Sequence, residues 1–139
     1  MKSIKSFTKT ALITGILLAG GAVQNVMANE HETACQQHID QKIAWDDNAH
    51  TKWEPKNLEK LCQGTQHPHE PGECFNQVMH GHVKWGKDDK WEWQNAIRLC
   101  SGTNSASDTI SCFEKRVEQG VKWEEAILQC QISGKVGTP

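Results

Sequence analysis

Apolar residues recur at helical spacing in six segments of the chain between residues 35 and 130. In the first segment, Cys35, Ile39 and Ile43 are four residues apart, so an α-helix places them on one face. The other five apolar faces consist of Leu58, Leu61 and Cys62; Cys74, Val78 and His82; Trp93, Ala96, Ile97 and Cys100; Ile110, Phe113, Val117 and Val121; and Trp123, Ala126, Ile127 and Cys130. No stretch alternates polar and apolar residues for long enough to indicate a β-strand. The pattern predicts an all-α fold.

The six segments form three pairs, because the sequence repeats. KWEPKNLEKLCQGT (52–65) and KWEWQNAIRLCSGT (90–103) are identical at eight of fourteen positions and lie 38 residues apart. A period of this length is typical of helix-pair repeats. We therefore predict one small domain of three αα-hairpin units of about 38 residues, spanning about 35–65, 74–103 and 112–134.

Proline and glycine mark the limits of the second helix in each unit. Pro55 suits the first turn of a helix, where its missing N–H has no partner to lose. Gly64, Gly102 and Gly134 stand where a helix is expected to stop.

Six cysteines in a small chain predict a disulfide framework. In an antiparallel hairpin, the start of the first helix lies beside the end of the second, within the reach of a disulfide bond. This arrangement predicts a bond inside each unit: Cys35–Cys62, Cys74–Cys100 and Cys112–Cys130. The alternative bonds, Cys62–Cys74 and Cys100–Cys112, would instead join neighbouring units. The closest cysteines are twelve residues apart, which does not fit a cysteine zinc site.

The first 28 residues have the layout of a secretory signal peptide. Lysines 2, 5 and 9 precede an apolar run from Ala11 to Val23, and the small-residue site ends at Ala28. We predict removal of residues 1–28 and export of residues 29–139 to the periplasm or the exterior. The apolar run is too short for a permanent membrane anchor. The remaining chain has 12 basic and 17 acidic residues, a balance that argues against nucleic acid as a partner.

The chain contains six tryptophans and no tyrosine. Trp45, Trp85 and Trp123 each follow a β-branched residue by two positions, and this shared register predicts that they belong to the core. Trp53 and Trp91 stand at the expected start of a second helix in a more polar context, where either exposure or burial fits.

Exposed tryptophans would provide a binding surface. Trp53, Trp91 and Trp93 are the candidates, because an exposed indole can stack on a sugar ring or anchor a protein partner. The sequence therefore leaves both glycan binding and protein binding open.

All seven histidines fall between residues 31 and 82. They include two His-x-His pairs, His67 with His69 and His80 with His82, which could ligate copper, nickel or zinc. Histidines that are merely solvated are the alternative. Cleavage after Ala28 would create the amino terminus Asn29-Glu30-His31. Its amine, two backbone amides and imidazole form the square plane of nitrogens that Cu(II) and Ni(II) favour.

No motif of a known catalytic site occurs in the sequence. Its adjacent acidic pairs point apart on a helix or turn, and paired cysteines leave no thiol nucleophile. We therefore expect a non-enzymatic, exported, disulfide-rich helical module that binds a partner, and we expect that partner to be a protein. The alternative is a copper- or nickel-binding protein that uses Asn29, His31 and the His-x-His pairs, and glycan binding is the third hypothesis.

Overall fold

The computed structural model describes residues 22–133, which form six α-helices and no β-strand. The helices are α1 (Ala22–Ile39), α2 (Pro55–Cys62), α3 (Glu70–His80), α4 (Trp93–Cys100), α5 (Ala106–Glu118) and α6 (Trp123–Ser133). The all-α prediction is confirmed. Residues 1–21 of the predicted signal peptide and the predicted stop at Gly134 lie outside the described residues.

Three disulfide bonds join the helices in consecutive pairs, as the cysteine spacing predicted. They link α1 to α2, α3 to α4 and α5 to α6 through Cys35–Cys62, Cys74–Cys100 and Cys112–Cys130, with Cα–Cα distances of 5.7, 5.5 and 5.6 Å. The alternative bonds between neighbouring units do not form. Disulfide bonds persist mainly in oxidising compartments, so three of them are consistent with export. No helix within residues 22–133 combines the length and the apolar character needed to cross a membrane.

The helix limits agree with the sequence in the second helix of the first two units, and they differ in the first helix of each unit. Pro55 occupies the first turn of α2, and Gly64 follows the end of that helix with a φ of 81°. The first helices are shorter at their carboxyl ends than the apolar spacing predicted, so Ile43, His82 and Val121 lie beyond them. The backbone of His82 has a φ of 61°, a left-handed conformation that does not continue a helix.

Neighbouring units pack through a tryptophan–phenylalanine contact that occurs at both junctions between units. The Trp53 ring of the first unit lies 4.8 Å from the Phe75 ring of the second. In the same way, Trp91 of the second unit lies 5.0 Å from Phe113 of the third. All four rings are buried. Burial of such large apolar side chains joins the three units around one core.

Hydrogen bonds reinforce the junction between the first and second units. The backbone N–H of Gly102 donates to the Leu61 carbonyl oxygen at 2.7 Å. The buried Thr65 hydroxyl donates to the Thr103 carbonyl oxygen at 3.1 Å, so the Gly-Thr ends of the two repeated stretches lie together. Polar groups buried at this junction are thereby satisfied.

Gly72 lets α3 approach α1 closely. A β-carbon at this position would lie 2.8 Å from Ile39 Cγ1 and 2.9 Å from Ile43 Cδ1. Ile39 is fully buried, so its side chain has little room to move away. Only glycine fits between the two helices without displacing the core.

We predict that Gly72→Ala lowers the free energy of unfolding by a net ~1–2 kcal/mol. Overpacking a core costs ~1–3 kcal/mol, and the higher helix propensity of alanine offsets up to ~1 kcal/mol of that. Urea unfolding with the disulfides intact measures the difference. In an Ile43→Val background, which removes Cδ1, the same substitution should cost less. Equal costs in the two backgrounds would contradict the steric explanation.

Candidate functional site

The structure reverses the predicted order of tryptophan burial. Trp53 and Trp91, the candidates for exposure, are only 6% and 7% exposed. Their indole N–H groups donate to the carbonyl oxygens of Ile43 and Val83 at 2.9 and 2.7 Å, so burial leaves neither group unpaired. Sugar stacking on this pair therefore lacks the exposed rings that it would require.

The half-buried tryptophans include the three that the sequence assigned to the core. Trp45, Trp85 and Trp123 pack against the core while keeping part of their rings in solvent, and Trp93 does the same. The sequence prediction was wrong because a shared register along the chain does not define how deeply a ring is buried. Trp53 and Trp91 precede α2 and α4 by two residues and are buried instead.

In the structure Trp123 corresponds to Trp93, although the sequence analysis aligned it with Trp45 and Trp85. It begins α6 as Trp93 begins α4, and each stands seven residues before the last cysteine of its unit. The two cysteines of the third unit are only 18 positions apart in sequence. Trp123 therefore stands both eleven residues after the first cysteine, as Trp85 does, and seven before the last, as Trp93 does. In space Trp123 has the place of Trp93, not that of Trp85.

This equivalence creates two similar tryptophan pairs, one at each junction between units. The Trp45 and Trp93 rings are 6.0 Å apart at an interplanar angle of 79°. The Trp85 and Trp123 rings are 5.9 Å apart at 60°. In both pairs, the ring from the loop of one unit faces the ring that begins the second helix of the next unit.

Each pair forms the walls of a surface cleft. The first cleft is lined by Trp45, Lys52, Trp53, Glu54, Asn57 and Trp93. The second cleft is lined by Trp85, Lys90, Trp91, Glu92, Asn95 and Trp123. Their volumes are about 70 Å³ and about 210 Å³. The Lys-Trp-Glu-x-x-Asn part of the repeated stretch lines both clefts.

Aspartates fix the loops that carry the outer wall of each cleft. Asp46 accepts hydrogen bonds from the backbone N–H groups of Asn48 and His50 at 3.2 and 3.0 Å, and the His50 ring stacks on Trp45. In the second unit, Asp88 accepts from the N–H of Lys90 at 3.0 Å. Contacts between histidine and aspartate also hold the same loops.

Each loop contains a histidine–aspartate pair that lowers the pKa of the aspartate. Asp89 Oδ2 lies 2.8 Å from His82 Nδ1, and this hydrogen bond is the main cause of the lowered pKa of Asp89. Partial desolvation opposes the effect at Asp46, but hydrogen bonds from His50 and Asn48 outweigh it and lower the pKa of that carboxyl. Both pairs involve solvent-exposed partners, so salt weakens their charge contribution.

We predict that His82→Ala raises the pKa of Asp89 towards its ordinary value of 3.8, because the hydrogen bond that favours the carboxylate is lost. A carboxyl-detected NMR titration measures this change, and Asp46, which pairs with His50, is the internal control. A lowered folded-state pKa stabilises the fold above the unfolded-state value, and this stabilisation is lost as the pH falls through the lowered value. An unchanged pKa of Asp89 would contradict the pairing.

The predicted metal-binding histidines do not converge. His80 Nε2 lies 3.2 Å from the Ala44 carbonyl oxygen, and His82 pairs with Asp89. Within residues 22–133, no group of three or more histidine, cysteine, aspartate or glutamate side chains is placed to hold a metal ion. The structure pairs His69 with His38, 31 residues earlier, rather than with its sequence neighbour His67.

The predicted amino-terminal copper or nickel site stays a prediction. The side chain of Asn29 lies outside the described part of the structure, and His31 is a half-buried residue of α1. The four-nitrogen site depends on the free amine that cleavage after Ala28 would create.

The pair of His38 and His69 is a feature that sequence spacing could not reveal. The His38 ring is largely shielded, and its pKa is lowered by burial and then by the neighbouring His69, against an opposing effect of Glu73. The neutral imidazole is thereby favoured at this position. The two residues meet only because α3 packs on α1.

No protein-family model, no curated protein and no solved structure matches the chain.

Proposed function

We propose that the protein is an exported, non-enzymatic binding module that holds a partner protein through the two tryptophan clefts. The observation that carries the proposal is the recurrence of one set of residues around both clefts. Tryptophan, lysine, glutamate and asparagine take corresponding places at both junctions. A binding surface built from repeated units is typical of repeat proteins.

The size of the clefts favours a protein side chain over a small-molecule ligand. Volumes of about 70 and 210 Å³ fall below the ~300–1,000 Å³ of pockets that enclose drug-sized ligands. A cleft of this size accommodates one side chain of a partner. Two such clefts therefore suit a partner that presents two anchoring side chains.

The chemistry of the walls supports the same interpretation. Half-exposed tryptophans are enriched among the residues that dominate protein–protein binding energy, because they bury a large apolar area with little loss of side-chain freedom. The exposed Lys52 and Glu54, and likewise Lys90 and Glu92, surround the apolar walls with charge. A polar rim around an apolar centre is the usual anatomy of such an interface.

An asparagine in each cleft offers polar recognition. Within residues 22–133, the side-chain amides of Asn57 and Asn95 make no hydrogen bond, although both residues are half-buried. A side-chain amide has two donors and one acceptor, which suit the backbone of an extended partner segment. The repeated stretch thus supplies both an apolar wall and a polar contact to each cleft.

We predict that Trp85→Ala weakens partner binding about 30-fold, or about 2 kcal/mol, because it removes one wall of the larger cleft. The partner is first isolated from the exported proteins of the source organism with the immobilised, disulfide-bonded chain. Isothermal titration then gives the dissociation constants. The double variant Trp45→Ala/Trp85→Ala should bind more weakly still, and Asn95→Ala should have a smaller effect than either.

Lys115→Ala is the control, because Lys115 is exposed on α5 and lines neither cleft. Far-ultraviolet circular dichroism verifies that each variant keeps its helices. A partner that binds the double variant and the wild type equally would refute the cleft as its site.

A further inference from the structure

His38 and His69 bring two imidazole nitrogens together on the side of the molecule where α1 meets α3. His38 is in the last turn of α1, and His69 immediately precedes α3. Their Nδ1 atoms are 3.1 Å apart. We propose that this pair binds a divalent transition-metal ion such as Zn(II), with water or a partner group completing the coordination.

The distance between the two nitrogens matches the spacing of two nitrogen ligands bound to one such ion. Zinc binds histidine nitrogen at ~2.0–2.1 Å, so two ligands at a tetrahedral angle lie ~3.3–3.4 Å apart and two at a right angle ~2.9 Å apart. The observed 3.1 Å falls between these values. Linear coordination of Cu(I) would need a separation of about 4 Å, so the geometry favours the divalent ions.

The orientation of the rings also departs from that of a simple hydrogen bond. Each nitrogen lies on the rim of its ring, so an in-line N–H···N bond would separate the centroids by the N···N distance plus two ring radii. The centroids are only 4.3 Å apart, and the ring planes meet at 76°. At least one nitrogen therefore points away from the line that joins the two, and a rotation of the exposed His69 ring directs both nitrogens at one ion.

Glu73 is placed to support His38 as a ligand. When Nδ1 binds a metal ion, the imidazole proton resides on Nε2. The Nε2 atom of His38 is buried and lacks a hydrogen-bond partner, and Glu73 Oε1 lies 3.8 Å away. A carboxylate on the far nitrogen is the usual companion of a metal-binding histidine, and a small movement of this exposed glutamate completes the contact.

The site is open to solvent on the side of His69, which is an exposed residue. Because the described residues supply no third ligand, the ion keeps coordination positions free. Open positions distinguish an exchangeable ion from a closed structural zinc site with four protein ligands. The site is separate from both tryptophan clefts and does not depend on the proposed partner.

Titration calorimetry of the disulfide-bonded protein with Zn(II) tests the proposal. Zinc is the probe because it lacks the preference for a square plane that would direct Cu(II) or Ni(II) to an amino-terminal Asn29-Glu30-His31 site. We expect one saturable site, its loss in His69→Ala and in His38→Ala, and about tenfold weaker binding in Glu73→Gln. Histidine ¹⁵N NMR should show both Nδ1 signals shifting together with added zinc.

His80→Ala is the matched control, because His80 is exposed and its ring contacts a backbone carbonyl oxygen rather than another histidine. Its zinc affinity should equal that of the wild type. His69 is exposed, so His69→Ala tests the site even where His38→Ala disturbs the fold. Absence of saturable zinc binding, unchanged affinity in His69→Ala, or an equal loss in His80→Ala would each overturn the proposal.

Discussion

The disulfide bond that closes each helical pair is the constraint on which the rest of the structure depends. Helices α2 and α4 have only eight residues each, fewer than the ~12–15 at which isolated helices become even marginally stable in water. Each ends in a fully buried cysteine bound to the longer helix of its pair. Closing loops of this size contributes ~3 kcal/mol per bond in the chain-entropy model, an appreciable share of the stability of a small domain.

With the pairs fixed, the repeated stretch can serve two purposes at once. Of its eight shared positions, the leucine, cysteine, glycine and threonine build the hairpin and the junction, where Gly102 and Thr65 make bonds between units. The lysine, tryptophan, glutamate and asparagine line a cleft. The third unit has no asparagine at the corresponding place. It contributes Trp123, which completes the second cleft.

The helices and disulfides could be predicted from sequence because both depend on spacing along the chain. Apolar residues four apart indicate a helix, and one cysteine near each end of a hairpin indicates a bond within it. The position of the tryptophans could not be predicted in the same way. Trp53 and Trp91 lie before the first turn of their helices, where helical periodicity does not define the direction of a side chain.

The candidate sites depend on contacts between distant parts of the chain, and so most of their geometry was beyond the sequence. Trp45 and Trp93, whose rings face each other, belong to different units. His38 contacts His69 because α3 packs closely on α1, and Gly72 permits this close packing. Sequence indicated the residue types involved, tryptophan and histidine, but paired His69 with the wrong neighbour.

Oxidative footprinting of the six tryptophans by mass spectrometry measures which rings are exposed, and the two clefts exist only if Trp45, Trp85, Trp93 and Trp123 are the exposed ones. We expect fast labelling of Trp45, Trp85, Trp93 and Trp123 and strong protection of Trp53 and Trp91. Protection of Trp45, Trp85 and Trp123 with fast labelling of Trp53 and Trp91 would contradict it.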